Sequence, residues 1–318
     1  MITLDMVYWL AGAFFAAIAI INARDGENPK RWGNTAFWGL VAVSFLFGSR
    51  LGDFGNGLLV LAIALVGGLG FLGQGKPKTT DAATRVASAA RRGDLLFLPA
   101  LVIPAVALFG GIVLKDATIA GHPIFQPKQA TLISLAIGAV LATLLALSLF
   151  RPPLHAPLTE GRRLMDTVGW AALLPQMLAS LGAVFAATGV GAVIGDLAST
   201  VIPEGSRIAA VIAYCGGMAL FTVLMGNAFA AFPVMTAAIG LPLIVNHFGG
   251  NPAIMAAIGM LSGFCGTLMT PMAANFNLVP AALLQLPDRD AVIKAQIPTA
   301  LPLLVVNTAL MYFLVFRF

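Results

Sequence analysis

The sequence predicts an all-α polytopic membrane protein with about seven spanning helices, one re-entrant hairpin and one spanning helix that is discontinuous. Three observations carry this. Only 10% of the 318 residues are charged and 59% are hydrophobic, whereas a soluble domain has about 25% charged residues. Apolar runs approaching the roughly 20 residues needed to cross a bilayer recur along the chain. No Asp, Glu, Lys or Arg occurs from Ile208 to Pro287, a stretch too long for one span and almost without loops. Strand-type alternation is absent. Backbone polar groups in hydrocarbon must pair internally, so the spans are helices.

In the first half, 1–150, apolar runs place helices near 6–22, 35–49, 56–73, 94–114 and 129–150. The opening run, MITLDMVYWLAGAFFAAIAIIN, has no basic leader, and its basic residues come after it. It reads as a retained span and not as a signal peptide. Loop charge alternates. Loop 23–34 holds Arg24, Lys30 and Arg31, loop 74–93 holds Lys76, Lys78, Arg85, Arg91 and Arg92, and loop 151–163 holds Arg151, Arg162 and Arg163. The turn after the second span holds Arg50, and loop 115–128 holds Lys115 and Lys128. The positive-inside rule then puts the N-terminus outside and 151–163 inside a bacterial cytoplasmic (inner) membrane. The same loops account for the formal net charge of +5, so the partner of this charge is the lipid bilayer and no nucleic acid is called for. Segment 79–94, TTDAATRVASAARRGD, is too polar to span. It fits either a short helix on the inner surface or a solvated loop. Cys215 and Cys265 lie in apolar runs, and His122, His155 and His247 are scattered without metal-ligand spacing. Neither a disulfide nor a metal centre is indicated.

Residues 151–163, RPPLHAPLTEGRR, combine three prolines with three arginines and read as a cytoplasmic linker. It separates a five-helix scaffold or oligomerisation half from a transport half, 164–318. A span at 166–188 comes next, with a proline kink at Pro175. Then two apolar arms, 207–224 and 228–245, meet at Gly226-Asn227. Two full spans would leave almost no turn there, so the pair 207–245 reads as a re-entrant hairpin with its tip, Gly226, Asn227 and Ala228, buried in protein. Next comes GFCGTLMTPMAANFN (263–277). A helix 252–264 runs in and a helix 278–286 runs out. Between them lie Gly266, Thr267, Thr270, Pro271, Asn275 and Asn277. Proline removes an amide donor and pushes the residue before it out of helical geometry, while Thr and Asn side chains satisfy the freed backbone groups. The region 252–286 therefore reads as a broken helix. One half-helix end offers amides to an anion and the other offers carbonyls to a cation such as sodium, without a buried charged side chain. Gly259-x-x-x-Gly263 and Gly191-x-x-x-Gly195 fit helix packing as well as function. The last span is expected at 298–316.

The hairpin with its Asn tip, followed by Gly266-x-x-x-Thr270-Pro271-x-x-x-Asn275, resembles the ion transporter superfamily. That group includes divalent-anion/sodium symporters and the membrane subunits of tripartite periplasmic transporters. The likeness covers about 164–318. It implies two inverted repeats, each with one hairpin and one broken helix, and an elevator motion. At the tip this chain has Gly-Asn-Ala where the symporters have Ser-Asn-Thr. In the break it has Thr-Pro-Met-Ala-Ala-Asn where they have Thr-Pro-Pro-Asn. The whole chain, through NPKRWGNTAFWGL (28–40) and the Thr-Pro region, is also similar to a bacterial family termed domain of unknown function nine-seven-nine. Members usually occur beside a second small membrane protein and a pyroglutamyl peptidase. That resemblance implies the handling of 5-oxoproline or a related carboxylate.

Only one hairpin and one broken helix are legible, so the opposite hairpin is expected from a companion membrane subunit. The function expected is that of a secondary-transporter subunit for a small organic anion, coupled to Na+ or H+ and without other cofactors. The alternatives are a non-transporting assembly subunit or channel, and an intramembrane enzyme. The enzyme lacks support because the charge-free core contains no acid–base pair and Asp196 stands alone.

Overall fold

The computed structural model describes residues 1–317 apart from Gln74, 76–79, Ala120, Ile202 and Glu204. Lys76, Lys78 and Thr79 lie outside the described residues. Among the described residues, seven helical stretches are long and apolar enough to cross a membrane, and the only sheet is a two-residue strand pair, Thr118–Ile119 with His122–Pro123. The protein is an all-α polytopic membrane protein. It forms two compact units, Met1–Gly169 and Trp170–Phe318.

The first unit begins with α1 (Leu4–Ala23) and α2 (Arg31–Gly68). A straight 38-residue helix would be about 57 Å long. Yet Lys30 Nζ donates to Gly70 O at 2.7 Å, and Asn34 both donates to Gly73 O at 2.7 Å and accepts from Gly73 N at 3.0 Å. The two ends therefore meet, and α2 folds back on itself. The reversal is at Gly52, whose φ of 62° and ψ of 179° are non-helical and open mainly to glycine. The expected spans 35–49 and 56–73 are its two arms. The first arm lies antiparallel to α1 along an aromatic seam, in which Phe15 stacks on Trp38 (5.5 Å) and on Phe45 (5.6 Å).

The polar segment after α2 resolves to a helix, α3 (Ala82–Arg92), capped by Asp81, which accepts from Thr84 N at 3.0 Å. Next come α4 (Leu98–Ile112) and α5 (Ala130–Phe150), which pack against each other. At one end of the unit the N-terminal residue Ile2 exchanges backbone hydrogen bonds with Ile124 and Gln126, joining the N-terminus to loop 115–128. The other end gathers loop 23–34, the segment around Gly73 and the region 156–168. The basic-rich and basic-poor loops thus sort to opposite ends, as the charge alternation requires.

The expected linker 151–163 is mostly helix. Pro157 near the start of α6 (Ala156–Val168) is preorganised for a helix start, and the helix packs on α1. It delivers Arg162 to a buried network. Arg162 pairs with Asp25 and with Asp166, and these side chains are 5–13% exposed. Asp166 also accepts from Trp38 Nε1 at 2.9 Å and from Asn22 Nδ2 at 3.1 Å. Burial pushes the Asp166 carboxyl above the usual carboxylate range, against the hydrogen bonds of Trp38, Asn22 and Arg162 that lower it. A buried ion pair of this kind adds little net stability over an apolar packing of the same shape, yet is costly to break from one side.

In the second unit the expected span 166–188 is replaced by two short helices, α7 (Leu174–Ala187) and α8 (Val190–Val201). The chain turns at Gly169 (φ 59°) and Gly189 (φ 75°). At 14 and 12 residues neither reaches the roughly 20 that a crossing needs. Pro175 begins α7 and does not kink a longer helix. Two longer arms come after them. The first is α9 (Arg207–Met225), started by Ser206 Oγ accepting from Ala209 N. The second is α10 (Ala228–Met235), which continues as a π-helix over Thr236–His247. Both short helices pack on this second arm. The two arms, 19 and 20 residues, are each long and apolar enough to cross a membrane.

α11 (Pro252–Thr267) is started by Asn251, whose side chain accepts from Ala253 N and Ile254 N. The short α12 (Leu278–Leu283) and α13 (Ala291–Leu314) complete the unit. Its core is Val211, Tyr214, Met218, Met235, Ile244, Met255 and Met311, all at most 2% exposed.

Arg162→Met should lower the melting temperature of the detergent-solubilised protein sharply. Removing one partner of a buried ion pair typically costs about 3–5 kcal/mol, because the carboxylates left behind are uncompensated.

Candidate functional site

The site is built where two interruptions meet. α9 ends at Gly226 in the left-handed region (φ 72°), with Gly226 N still bonded to Thr222 O at 2.7 Å. Asn227 then starts α10, and its Oδ1 accepts from Phe229 N at 2.8 Å. The chain thus reverses within two residues. Gly226 and Ala228 are buried and Asn227 is half-buried, so protein covers the tip.

α11 runs alongside α9 in the same direction. Tyr214 lies against Gly259, Met218 and Thr222 against Gly263, and Ala219 O against Gly266. A Cβ on Gly266 would lie 2.3 Å from that carbonyl oxygen. Both small-residue motifs serve packing, since Gly191 and Gly195 press on Val234, Ala237 and Ala238 in the same way.

α11 stops at Thr267 and helix resumes only at Leu278. The freed carbonyls need donors. Thr267 Oγ1 donates to Phe264 O at 2.6 Å. Asn277 is fully buried, and its Nδ2 donates to Thr267 O (2.8 Å) and Thr270 O (2.6 Å). Two carbonyls on the nitrogen fix the orientation of the carboxamide. Its Oδ1 is buried with no hydrogen-bond partner among the described residues. Thr270 Oγ1 accepts from Met272 N (3.2 Å) and donates across to Val223 O of α9 at 2.8 Å. Gly226 completes the junction: a Cβ there would sit 2.5 Å from the carbonyl carbon and oxygen of Met272.

The structure therefore brings together Gly226, Thr267, Thr270 and Asn277, with Gly266 and Ala228 packed one layer behind. Pro271 and Asn275 are exposed, and the Asn227 carboxamide caps its own helix. Sequence reasoning missed Val223, Met272 and Thr222. The first two act through the backbone and leave no side-chain signal. Thr222, bonded to Met218 O at 2.7 Å, could have been noticed as a hydroxyl one turn before the Gly226 break. The groups gathered at the junction are hydroxyl, carboxamide and backbone.

The chain matches, over residues 5–316, the profile of the family described as "Protein of unknown function (DUF979)". It belongs to this family. No curated protein and no solved structure matches it. The DUF979 match spans both units, so α1–α6 and the interrupted helices of the second unit are parts of one family architecture.

Replacing Asn277 in this DUF979 member by Leu should destabilise the second unit. Two buried carbonyls lose their donor, at about 1–3 kcal/mol each, nearer the low end in a bilayer, where such bonds average about 0.6 kcal/mol. Asn275→Ala, at an exposed position, should leave thermal stability within about 0.5 kcal/mol. Melting both variants in the same detergent separates the two.

Proposed function

We propose that this chain is a subunit of a secondary transporter that moves a small organic anion through an elevator-like motion. The observation that supports this best is the contact between the two interruptions: the bond from Thr270 to Val223 and the seating of Gly226 on Met272. Two broken segments that meet inside a unit with no charged side chain from Ile208 to Pro287 are a device for binding ions with backbone dipoles. The N-terminus of the arm that starts at Ala228 offers amides to an anion, and the carbonyls at the end of α11 suit a coupling cation, Na+ or H+. The motif resemblance to the ion transporter superfamily supports the same reading. The resemblance of the chain to a family found beside pyroglutamyl peptidases favours 5-oxoproline or a related carboxylate as cargo. The membrane is the bacterial cytoplasmic membrane.

The hairpin 207–245 is re-entrant in this reading, and a companion membrane subunit supplies the opposite one. The short pair α7–α8 does not fill that role. α8 runs beside the second arm in the same direction, with Gly191 near Val234 and Gly195 near Ala238, so its turn at Gly189 lies at the same end as the Gly226 tip.

Uptake of labelled 5-oxoproline into cells or proteoliposomes tests the proposal. Asn227→Ala and Thr270→Ala should each reduce substrate binding at least tenfold while membrane insertion stays intact, whereas Asn275→Ala, at an exposed position outside the cluster, should bind as the wild type does. Wild-type uptake in both of the first two variants would refute the site. The chain alone should be inactive and the chain with its companion active, and full uptake by the chain alone would refute the split arrangement.

A further inference from the structure

The first unit carries an open groove of about 930 Å³ bordered by α1, α4, α5 and α6. Its walls are Leu10 and Phe14 on α1, Ile103 on α4, and Val140, Leu147 and Phe150 on α5. Along α5 the lining extends from Ala136 to Phe150, about 21 Å at 1.5 Å per residue. That exceeds the depth of one leaflet, about half of a 30 Å hydrocarbon core. Only Thr143 and Glu160 contribute polar side chains to the lining, and both are engaged. Thr143 Oγ1 donates to Ala139 O at 2.8 Å, and Glu160 accepts from Arg163 Nε at 2.6 Å. The groove therefore offers little hydrogen bonding and suits hydrocarbon.

One end of it is basic. The Arg92 guanidinium lies 5.1 Å over the Phe150 ring and donates to Phe150 O at 3.2 Å. Arg151, exposed, comes next in the left-handed conformation that closes α5 (φ 50°). Arg92 and Arg151 stand at this rim, while Glu160 of the lining is already paired with Arg163. A basic rim above an apolar trough is complementary to an anionic headgroup above its chain. A zwitterionic lipid brings no net charge to the rim.

We propose that this groove holds an acyl chain of an anionic phospholipid, with Arg92 and Arg151 binding its headgroup phosphate. Native mass spectrometry of the purified full-length chain, incubated with equimolar phosphatidylglycerol and phosphatidylcholine, tests this. Retained phosphatidylglycerol should exceed phosphatidylcholine at least fivefold. In the Arg92→Gln, Arg151→Gln double variant the ratio should fall to within a factor of two of unity, and Ala139→Trp, which fills the trough, should reduce retention of both lipids. Equal retention by the wild type, or an unchanged ratio in the double variant, would overturn the proposal. Should the variants fail to fold, the wild type decides: a photoactivatable phosphatidylglycerol should crosslink to residues of α1 and α5 that line the groove. Adducts found elsewhere, or displaced by a co-purifying membrane protein seated in the groove, would overturn it as well.

Discussion

The second unit rests on one constraint: a backbone carbonyl freed inside an apolar medium must find a donor. α11 ends in such surroundings, and the buried carboxamide of Asn277 answers the carbonyl of its last residue, Thr267, together with that of Thr270 just beyond. With those satisfied, the chain can leave the helix at Thr267, turn for ten residues and resume at Leu278. Without them the break would be costly and the helix would tend to run on. The proline at 271 forces the interruption, but Asn277 is what makes it tolerable. Around that point small residues do the rest. Gly259, Gly263 and Gly266 let α11 approach α9 closely enough for Thr270 to reach Val223.

The first unit solves a related problem with side chains of opposite charge. Arg162, Asp25 and Asp166 sit where α6 meets the ends of α1 and α2, and Asn22, Asn34 and Trp38 supply the remaining hydrogen bonds. A network so placed can hold an amphipathic helix against an apolar bundle that offers it little else. This explains why a segment with three prolines and three arginines, which reads as a linker, is largely folded.

Much of the architecture was legible in the residues. The deficit of charge announced the membrane. The alternation of basic loops divided the connections between two ends, and the contacts of Ile2 with 124–126 and of Asn34 with Gly73 agree with that division. Gly226-Asn227 and the Thr-Pro-Asn cluster marked where helix must stop, because they alter what the backbone can do locally. Partner choice was not legible. Asn275 and Asn277 look equivalent in a string, yet one is exposed and the other fully buried, a difference set by which of them faces the end of α11. The span 166–188 misled because its apolar run was long enough, while two glycines with positive φ, Gly169 and Gly189, divide the polypeptide into shorter pieces. The π-helical turn of Thr236–His247 also left no mark, since it depends on bonds that reach one residue further than a helical wheel assumes.

The bond between Thr270 and Val223, with Gly226 seated on the Met272 carbonyl, has a mechanical corollary. The bend of one element and the gap of the other are pinned to each other, so neither swings without dragging its neighbour. The bend between α9 and α10 and the gap after α11 are thus held as one block.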